Sequence, residues 1–271
     1  MRPRHRLLLY FALSRPVSSS LSHVRYFQYG IPWIMKRSQF AKSSETVALR
    51  FLHATGLNLP IPRVIDSVTV DGEVWTIMTR LQGDTMLNLA RKKAITDKEV
   101  QGVVKEVHEV IRKLWTLTPP ISLEEQTIMH HPSGEGLPWA KFDLDFTIGP
   151  CSLVDLYAAY TTALATHQRW TARDIINLEP DRMRKILSDK VVYVHCDLRP
   201  LNIMVHNGRF TGIIDWENSG WHVRHWQVLV VRRSMGLTNP VKLSRWWRDV
   251  KFEPDVEEAY QAGCELLEDK I

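Results

Sequence analysis

The sequence predicts an α+β chain, with antiparallel strands joined by tight turns and a larger share of helix in its second half. Three stretches carry that expectation. Asn207-Gly208 lies between the apolar runs 202–206 and 209–214, and Asp71-Gly72 lies between 64–70 and 74–78. An Asn-Gly or Asp-Gly pair in that setting is a hairpin signal, because a type I′ turn needs φ > 0 at both central residues. The third stretch, 96–117, repeats Val100, Val103, Val104, Val107, Ile111 and Leu114 at three- and four-residue steps, the period of a helix with one apolar face.

The remaining elements follow in order. Residues 1–30 are rich in Arg and Ser, contain no acid, and hold an apolar run at 7–13 that is too short to span a bilayer. This composition fits a mitochondrial presequence, with a secretory signal or a first pair of strands as alternatives. Residues 31–35 read as a strand ending at Lys36. Residues 43–54 read as a helix capped by Ser43 or Ser44, with Val47, Leu49, Phe51 and Leu52 on its apolar side. LPIPRV at 59–64 is extended, since a residue before proline is pushed out of the helical region. Residues 118–150 hold Pro119-Pro120 and several glycines and read as loop, with His130 and His131 as surface residues for want of spaced metal-binding partners. Helices are expected at 152–166, 179–188 and 255–267.

The second hairpin carries the chemistry. A two-residue turn pairs His206 with Arg209, so that Ile213 faces Asn202 and Asp215 faces Pro200, with Asp197 on the loop leading in. Three oxygen-bearing side chains then meet at the open end. Magnesium takes oxygen ligands and pairs one or two carboxylates with substrate phosphates. Asn202 and Asp215 suit that role and leave Asp197 to accept a proton, the division of labour for moving a phosphoryl group onto a hydroxyl.

HCDLRPLNIMV at 195–205 and TGIIDWENSGW at 211–221 resemble the catalytic and metal-binding segments of the aminoglycoside phosphotransferase and choline kinase group, particularly its fungal-type branch with an IDWE tail. SETVALRFL, LPIPRV and WTIMTRLQGDTM match the same pattern in order. The resemblance implies a bilobal protein-kinase-like fold: a small antiparallel-sheet N-lobe at 31–82, a larger, mostly helical C-lobe at 83–271, and a basic segment at 1–30 that is a presequence or an incomplete part of the N-lobe. It implies Asp197 as catalytic base, His195 as support of the loop, and Asn202 and Asp215 as magnesium ligands. It further implies Lys36 on the nucleotide phosphates with Glu45 as its helix partner, and Thr79 to Leu81 as the hinge that bonds adenine through backbone groups. Two departures stand out. Cys196 replaces the usual Gly between the His and the Asp, and HVRHWQ at 222–227 lacks the proline and acids of the usual P-E-Y-W-E tail.

Composition narrows the classes. The net charge of +5 comes from the N-terminus: residues 1–44 hold eight Lys or Arg and no acid, and the rest carries a net −3. No basic patch interleaved with aromatics follows, so no nucleic-acid partner is expected. Three widely spaced cysteines make neither a disulfide framework nor a zinc site and fit a reducing compartment, the cytoplasm, with a mitochondrial location fitting the N-terminus. There is no G-x-G-x-x-G before Lys36 and no G-x-x-x-x-G-K-[ST] anywhere.

The function expected is an ATP- and magnesium-dependent phosphotransferase acting on a small-molecule hydroxyl. Asp143, Asp145, Asp155 and Glu179 are candidates to meet a cationic acceptor, and a solvated helix face is the plainer reading of them. The alternative is a catalytically impaired kinase-like protein that binds a nucleotide or ligand. A metal hydrolase using His195, Cys196 and Asp197 is disfavoured, because adjacent residues do not readily converge on one ion.

Overall fold

The computed structural model describes residues 1–18, 23–38, 44–119, 127–138, 147–164, 171–233 and 246–268. In chain order the first elements are α1 (Pro3–Ala12), β1 (Ser14–Pro16), β2 (Val24–Phe27), β3 (Trp33–Arg37), α2 (Ser44–Ala54), β4 (Val64–Val70) and β5 (Glu73–Thr79). There follow β6 (Asp84–Thr85), α3 (Met86–Arg91), α4 (Asp97–Leu114), β7 (Leu137–Pro138), β8 (Thr147–Ile148), α5 (Leu153–Leu164), α6 (Ala172–Leu178) and α7 (Pro180–Leu187). The last are β9 (Val191–His195), β10 (Ile203–His206), β11 (Arg209–Ile213), a 3-10 turn at Trp216–Asn218, β12 (Ser219–Val223), α8 (Arg224–Arg233) and α9 (Pro254–Glu268). Two compact units form: one chiefly from Met1–Val103 and Pro200–Ser219, the other from Val104–Leu137, Thr147–Arg199 and Gly220–Ile271.

The first unit is built on an antiparallel sheet ordered β1-β2-β3-β5-β4. Its core is Phe27, Met35, Val68, Trp75 and Ile77, and Leu7, Tyr10 and Phe11 of α1 pack on it. Those three positions fall on one face of a helix, which is why the N-terminal segment, read from composition alone as a presequence or an incomplete lobe, lies on the sheet. Tyr10 donates to Asp66 of β4 at 2.8 Å, and Arg6 reaches the same carboxylate at 3.2 Å.

Both turn dipeptides fold as their chemistry dictates. Asp71 and Gly72 have φ of 51° and 83°, and Asn207 and Gly208 have 50° and 72°, so Val70 pairs with Glu73 and His206 with Arg209. The second hairpin then departs from the simple register. Val205 pairs with Phe210 but Met204 pairs with Gly212, so Thr211 is an extra residue on β11 and Ile213 faces Ile203, not Asn202. The cause is the neighbouring backbone. Ile213 N–H donates to Pro60 O at 3.0 Å, and Thr211 Oγ1 donates to Gln82 O at 2.8 Å, so β11 is tied to two other segments and bulges to reach them. A side chain at Gly212, whose φ is +149°, would put its Cβ 2.2 Å from Pro60 O.

In the second unit β9 pairs with β12. The long helix appears as α4, with Val100, Val103, Val107, Ile111 and Leu114 buried and a reciprocal cap in which Thr96 N–H donates to Glu99 at 2.8 Å and Glu99 N–H to Thr96 at 3.3 Å. The helices expected at 152–166, 179–188 and 255–267 correspond to α5, α7 and α9; residues 165 and 166 lie outside the described residues, as does Ser43. His130 and His131, expected at the surface, are 5% and 3% exposed. They are enclosed because Trp221 N–H donates to His130 O at 2.9 Å, an isolated bridge to β12 that local sequence does not announce.

Gly212→Ala is expected to lower the unfolding free energy by about 2 kcal/mol, since strain at positive φ is joined by a backbone clash. Gly72→Ala, with φ +83° but nothing within 4 Å of its Cβ, is expected to cost about 1 kcal/mol. Urea unfolding of the two variants checks the difference.

Candidate active site

Lys36 stands on β3, paired with Val24 on one side and Thr76 on the other. Beside it, α2 is held to the sheet by buried Ala48, Leu49 and Leu52 and by a 2.6 Å hydrogen bond between the hydroxyls of Thr46 and Thr76. Glu45 in the first turn of α2 is 2% exposed and lies 3.2 Å from Lys36 Nζ. Thus the helix acid and the strand lysine paired by spacing in the sequence do meet.

The other side of the cluster comes from the end of β11. Trp216 is fully buried and its indole donates to Ile213 O at 2.8 Å, which pins the 3-10 turn. Asp215 and Glu217 flank this anchor and both reach Lys36, Asp215 by a close ion pair and Glu217 at 3.2 Å. Glu45 closes the ring from behind by accepting the Trp216 N–H at 3.2 Å. One ammonium therefore sits among three carboxylates.

Burial disfavours the Lys36 charge, but Glu45, Asp215 and Glu217 outweigh it and hold the ammonium well above the ordinary lysine range. Burial likewise raises Glu45 against the pull of Lys36. Glu217 is pushed to about 7, first by burial and then by Asp215 and Glu45, with Lys36 opposing.

Asn202, 1% exposed, precedes β10, and its carbonyl accepts Ile214 N–H at 3.0 Å. The bulge thus sets Asn202 opposite Ile214, and strand alternation alone would turn Asp215 to the other face. Asp215 does not continue the strand: its backbone is left-handed, φ 67° and ψ 60°. That conformation is uncommon for a residue other than Gly, and it redirects the carboxylate toward Lys36. The carboxylate oxygens of Glu45, Asp215 and Glu217 lie within 4.8 Å of one another. A donor set of three carboxylates is all hard oxygen, which fits magnesium.

Asp197 and His195 belong to the second unit, at the end of β9. His195 is fully buried, and its N–H donates to Gln227 Oε1 at 3.0 Å. A turn forms there, with Leu198 N–H on His195 O at 3.1 Å and Asp197 N–H on His195 Nδ1 at 3.3 Å. Arg199 folds back on Asp197, with Nη2 to Oδ2 at 2.6 Å and Nε to Oδ1 at 2.5 Å. Cys196 occupies the place expected for Gly; burial first, and Asp197 second, hold its thiol far above the ordinary range. At neutral pH it is a protonated thiol.

At the expected hinge, Thr79 N–H donates to Arg63 O at 2.9 Å and Arg80 N–H to Pro32 O at 2.8 Å. Both amides are used inside the first unit. Asp155 accepts the Ser152 hydroxyl at 2.6 Å while Ser152 caps α5 by accepting the Asp155 N–H at 3.1 Å, and Glu179 pairs with Arg182 at 3.2 Å; Asp143 and Asp145 lie outside the described residues. His222 and His225 are not a ligand pair: His222 accepts Val223 N–H at 2.8 Å, and His225 lies 2.8 Å from Asp189 and 2.9 Å from Tyr157 OH. The sequence reading passed over Glu217 and Arg199. The signal for Glu217 was its place two residues after Asp215, so that a single tight turn can aim both acids at one cation.

The family model described as the phosphotransferase enzyme family matches residues 15–243. Among solved structures the chain is similar to the aminoglycoside phosphotransferase APH(4)-Ia, with a TM-score of 0.57 and 16% identity over 97% of this chain and 88% of that one. It is also similar to APH(2'')-IIa in its ternary complex with streptomycin and ATP, at 0.53 and 14% over 98% and 84%. APH(3'')-Id from Streptomyces rimosus ATCC10970, in complex with ADP and streptomycin, gives 0.53 and 15% over 98% and 99%. At these identities the likeness is one of fold, the α+β kinase-like fold that the motifs implied. No curated protein sequence matches the chain.

Lys36→Met is expected to destabilise the protein by about 3–5 kcal/mol, because it leaves buried carboxylates without their cation. Glu217→Gln removes a surplus negative charge and is expected to leave stability within about 1 kcal/mol of wild type, or above it. Chemical denaturation at neutral pH distinguishes the two.

Proposed function

The chain belongs to the phosphotransferase enzyme family, and from that premise we infer that it moves the terminal phosphoryl group of ATP, with magnesium, onto a hydroxyl of a small molecule. The observation that carries this reading is the Lys36 cluster. A strand lysine, an acid on the following helix and the aspartate that closes the HxDxxxxN…D segment meet at one ammonium.

Each residue then has a role set by its chemistry. Lys36, kept charged by its three acids, neutralises phosphate oxygens, and Glu45 keeps it aimed while Asp215 turns to other work. Asn202 and Asp215 would hold magnesium, which when bound offsets the charge gathering on the phosphate oxygens. Adenine is met by backbone at Leu81, since the amides of Thr79 and Arg80 are already engaged. Asp197 orients the acceptor hydroxyl and takes its proton, and the buried His195 shapes the turn that carries it. Positioning and electrostatics supply most of the rate in such transfers. The acceptor is a small molecule with a free hydroxyl, and the expected compartment is reducing, in keeping with three free cysteines. Among the described residues no helix is long and apolar enough to cross a membrane.

Asp197→Asn is expected to lower kcat by about 10²–10⁴-fold while ATP binding measured by calorimetry stays within a few-fold. Asn202→Ala is expected to raise the magnesium concentration needed for half-maximal nucleotide binding. Wild type and Asp197→Asn turning over equally slowly across a panel of amino alcohols and amino sugars, with ATP still bound, would leave a nucleotide-binding protein in place of a kinase.

A further inference from the structure

We propose that Arg199 is a positioning residue for the transfer: its guanidinium grips the Asp197 carboxylate and sets the orientation in which that carboxylate meets the acceptor hydroxyl. The inference rests on Asp197 being the base, as in the reading above.

The grip is local and written in the chain. Arg199 precedes Pro200, so its backbone is driven out of the helical region. Its N–H closes a tight turn onto Asp197 O at 2.8 Å. The side chain then doubles back two residues. Nη2 donates to Oδ2 at 2.6 Å, and Nε lies 2.5 Å from Oδ1 as an ion pair without a formed hydrogen bond. A charge-assisted hydrogen bond on one oxygen, with the guanidinium charge beside the other, holds the carboxylate against the arginine. The pair is mostly sheltered, with side chains 24% and 18% exposed, so solvent weakens it less than a surface ion pair.

In the transfer the acceptor O–H bond breaks and its proton goes to an Asp197 oxygen. The acceptor O–P bond forms as the bond between the terminal phosphorus and the bridging oxygen breaks, and the nucleoside diphosphate leaves with that electron pair. Once protonated, Asp197 no longer cancels the guanidinium charge. The other titratable groups on this turn are His195 and Cys196. The His195 Nδ1 accepts the Asp197 N–H, and Cys196 is a neutral thiol. A lysine at position 199 would keep the charge and lose the planar guanidinium that carries it beside both oxygens.

The test compares wild type with Arg199→Met, Arg199→Gln and Arg199→Lys, each checked for native folding by its melting transition. Arg199→Met and Arg199→Gln are expected to lose about ten- to a hundredfold in kcat with the nucleotide KM held within about twofold. The acidic limb of their pH–rate profiles should move up by about one unit, because a cation beside Asp197 has been removed. Arg199→Lys is expected to restore the limb and only part of kcat. Wild-type kcat and an unmoved limb in either neutral variant overturn the proposal, as does full rescue of kcat by lysine, which would leave charge without geometry. A second arm needs no turnover. Carbon NMR of aspartate-labelled protein, with the Asp197 signal assigned by its loss in Asp197→Asn, follows that carboxyl through pH. Its midpoint should rise in both neutral variants, and an unchanged midpoint overturns the proposal. Should wild type prove no faster than Asp197→Asn, the kinase reading fails, and the NMR arm alone decides whether Arg199 governs Asp197. If Arg199→Met does not fold, the glutamine and lysine variants carry both arms.

Discussion

A single ammonium holds the first unit's chemistry together. Lys36 on the sheet is bound by Glu45 from the helix that follows it and by Asp215 and Glu217 from a turn some 180 residues later in the chain. Removing charges from water costs several kcal/mol each, and only close opposite charge with good geometry offsets it. With acids in excess over the one cation, the cluster is not arranged for stability. Burial raises Glu45 and pushes Glu217 to about 7, so protonation near neutral pH relieves part of the repulsion among the acids.

The rest of the first unit reads as the support of that arrangement. Trp216 must be buried for its neighbours to be aimed, and burying it requires the Ile213 carbonyl that the indole bonds. The extra residue at Thr211 and the missing side chain at Gly212 let β11 reach Pro60 and Gln82 as well as β10. The left-handed backbone at Asp215 corrects the facing that the bulge disturbs. Strain of this sort persists where surrounding structure fixes it, and it gathers at functional sites.

Much of this was legible in the sequence, and what was not has physical causes. The turn pairs Asp71-Gly72 and Asn207-Gly208 announced both hairpins, since few residues accept φ > 0. The apolar stripe of α4 announced its core face, and the family resemblance implied the Lys36–Glu45 pair, which closes at 3.2 Å. The bulge could not be read, because it answers to Pro60, far away in the chain. Burial of His130 depends on a bridge to Trp221, again a distant partner. Thr79 N–H and Arg80 N–H take Arg63 O and Pro32 O, partners that the hinge's own sequence does not announce. Arg199 was not legible as the partner of Asp197, because a charged residue near an acid is commonplace and only the folded turn brings the guanidinium back onto the carboxylate.

The spare residue in β11 makes the strand a counting device. Side chains alternate with a period of two, so a spacer of one inverts everything downstream of it. From Gly212 onward the chain runs out of phase with its own turn, and the rotated backbone at Asp215 is the second inversion that restores the sense. The two irregularities therefore work only as a pair: a chain that lost the spacer but kept the rotation would fold its hairpin faithfully and point its aspartate away from the lysine.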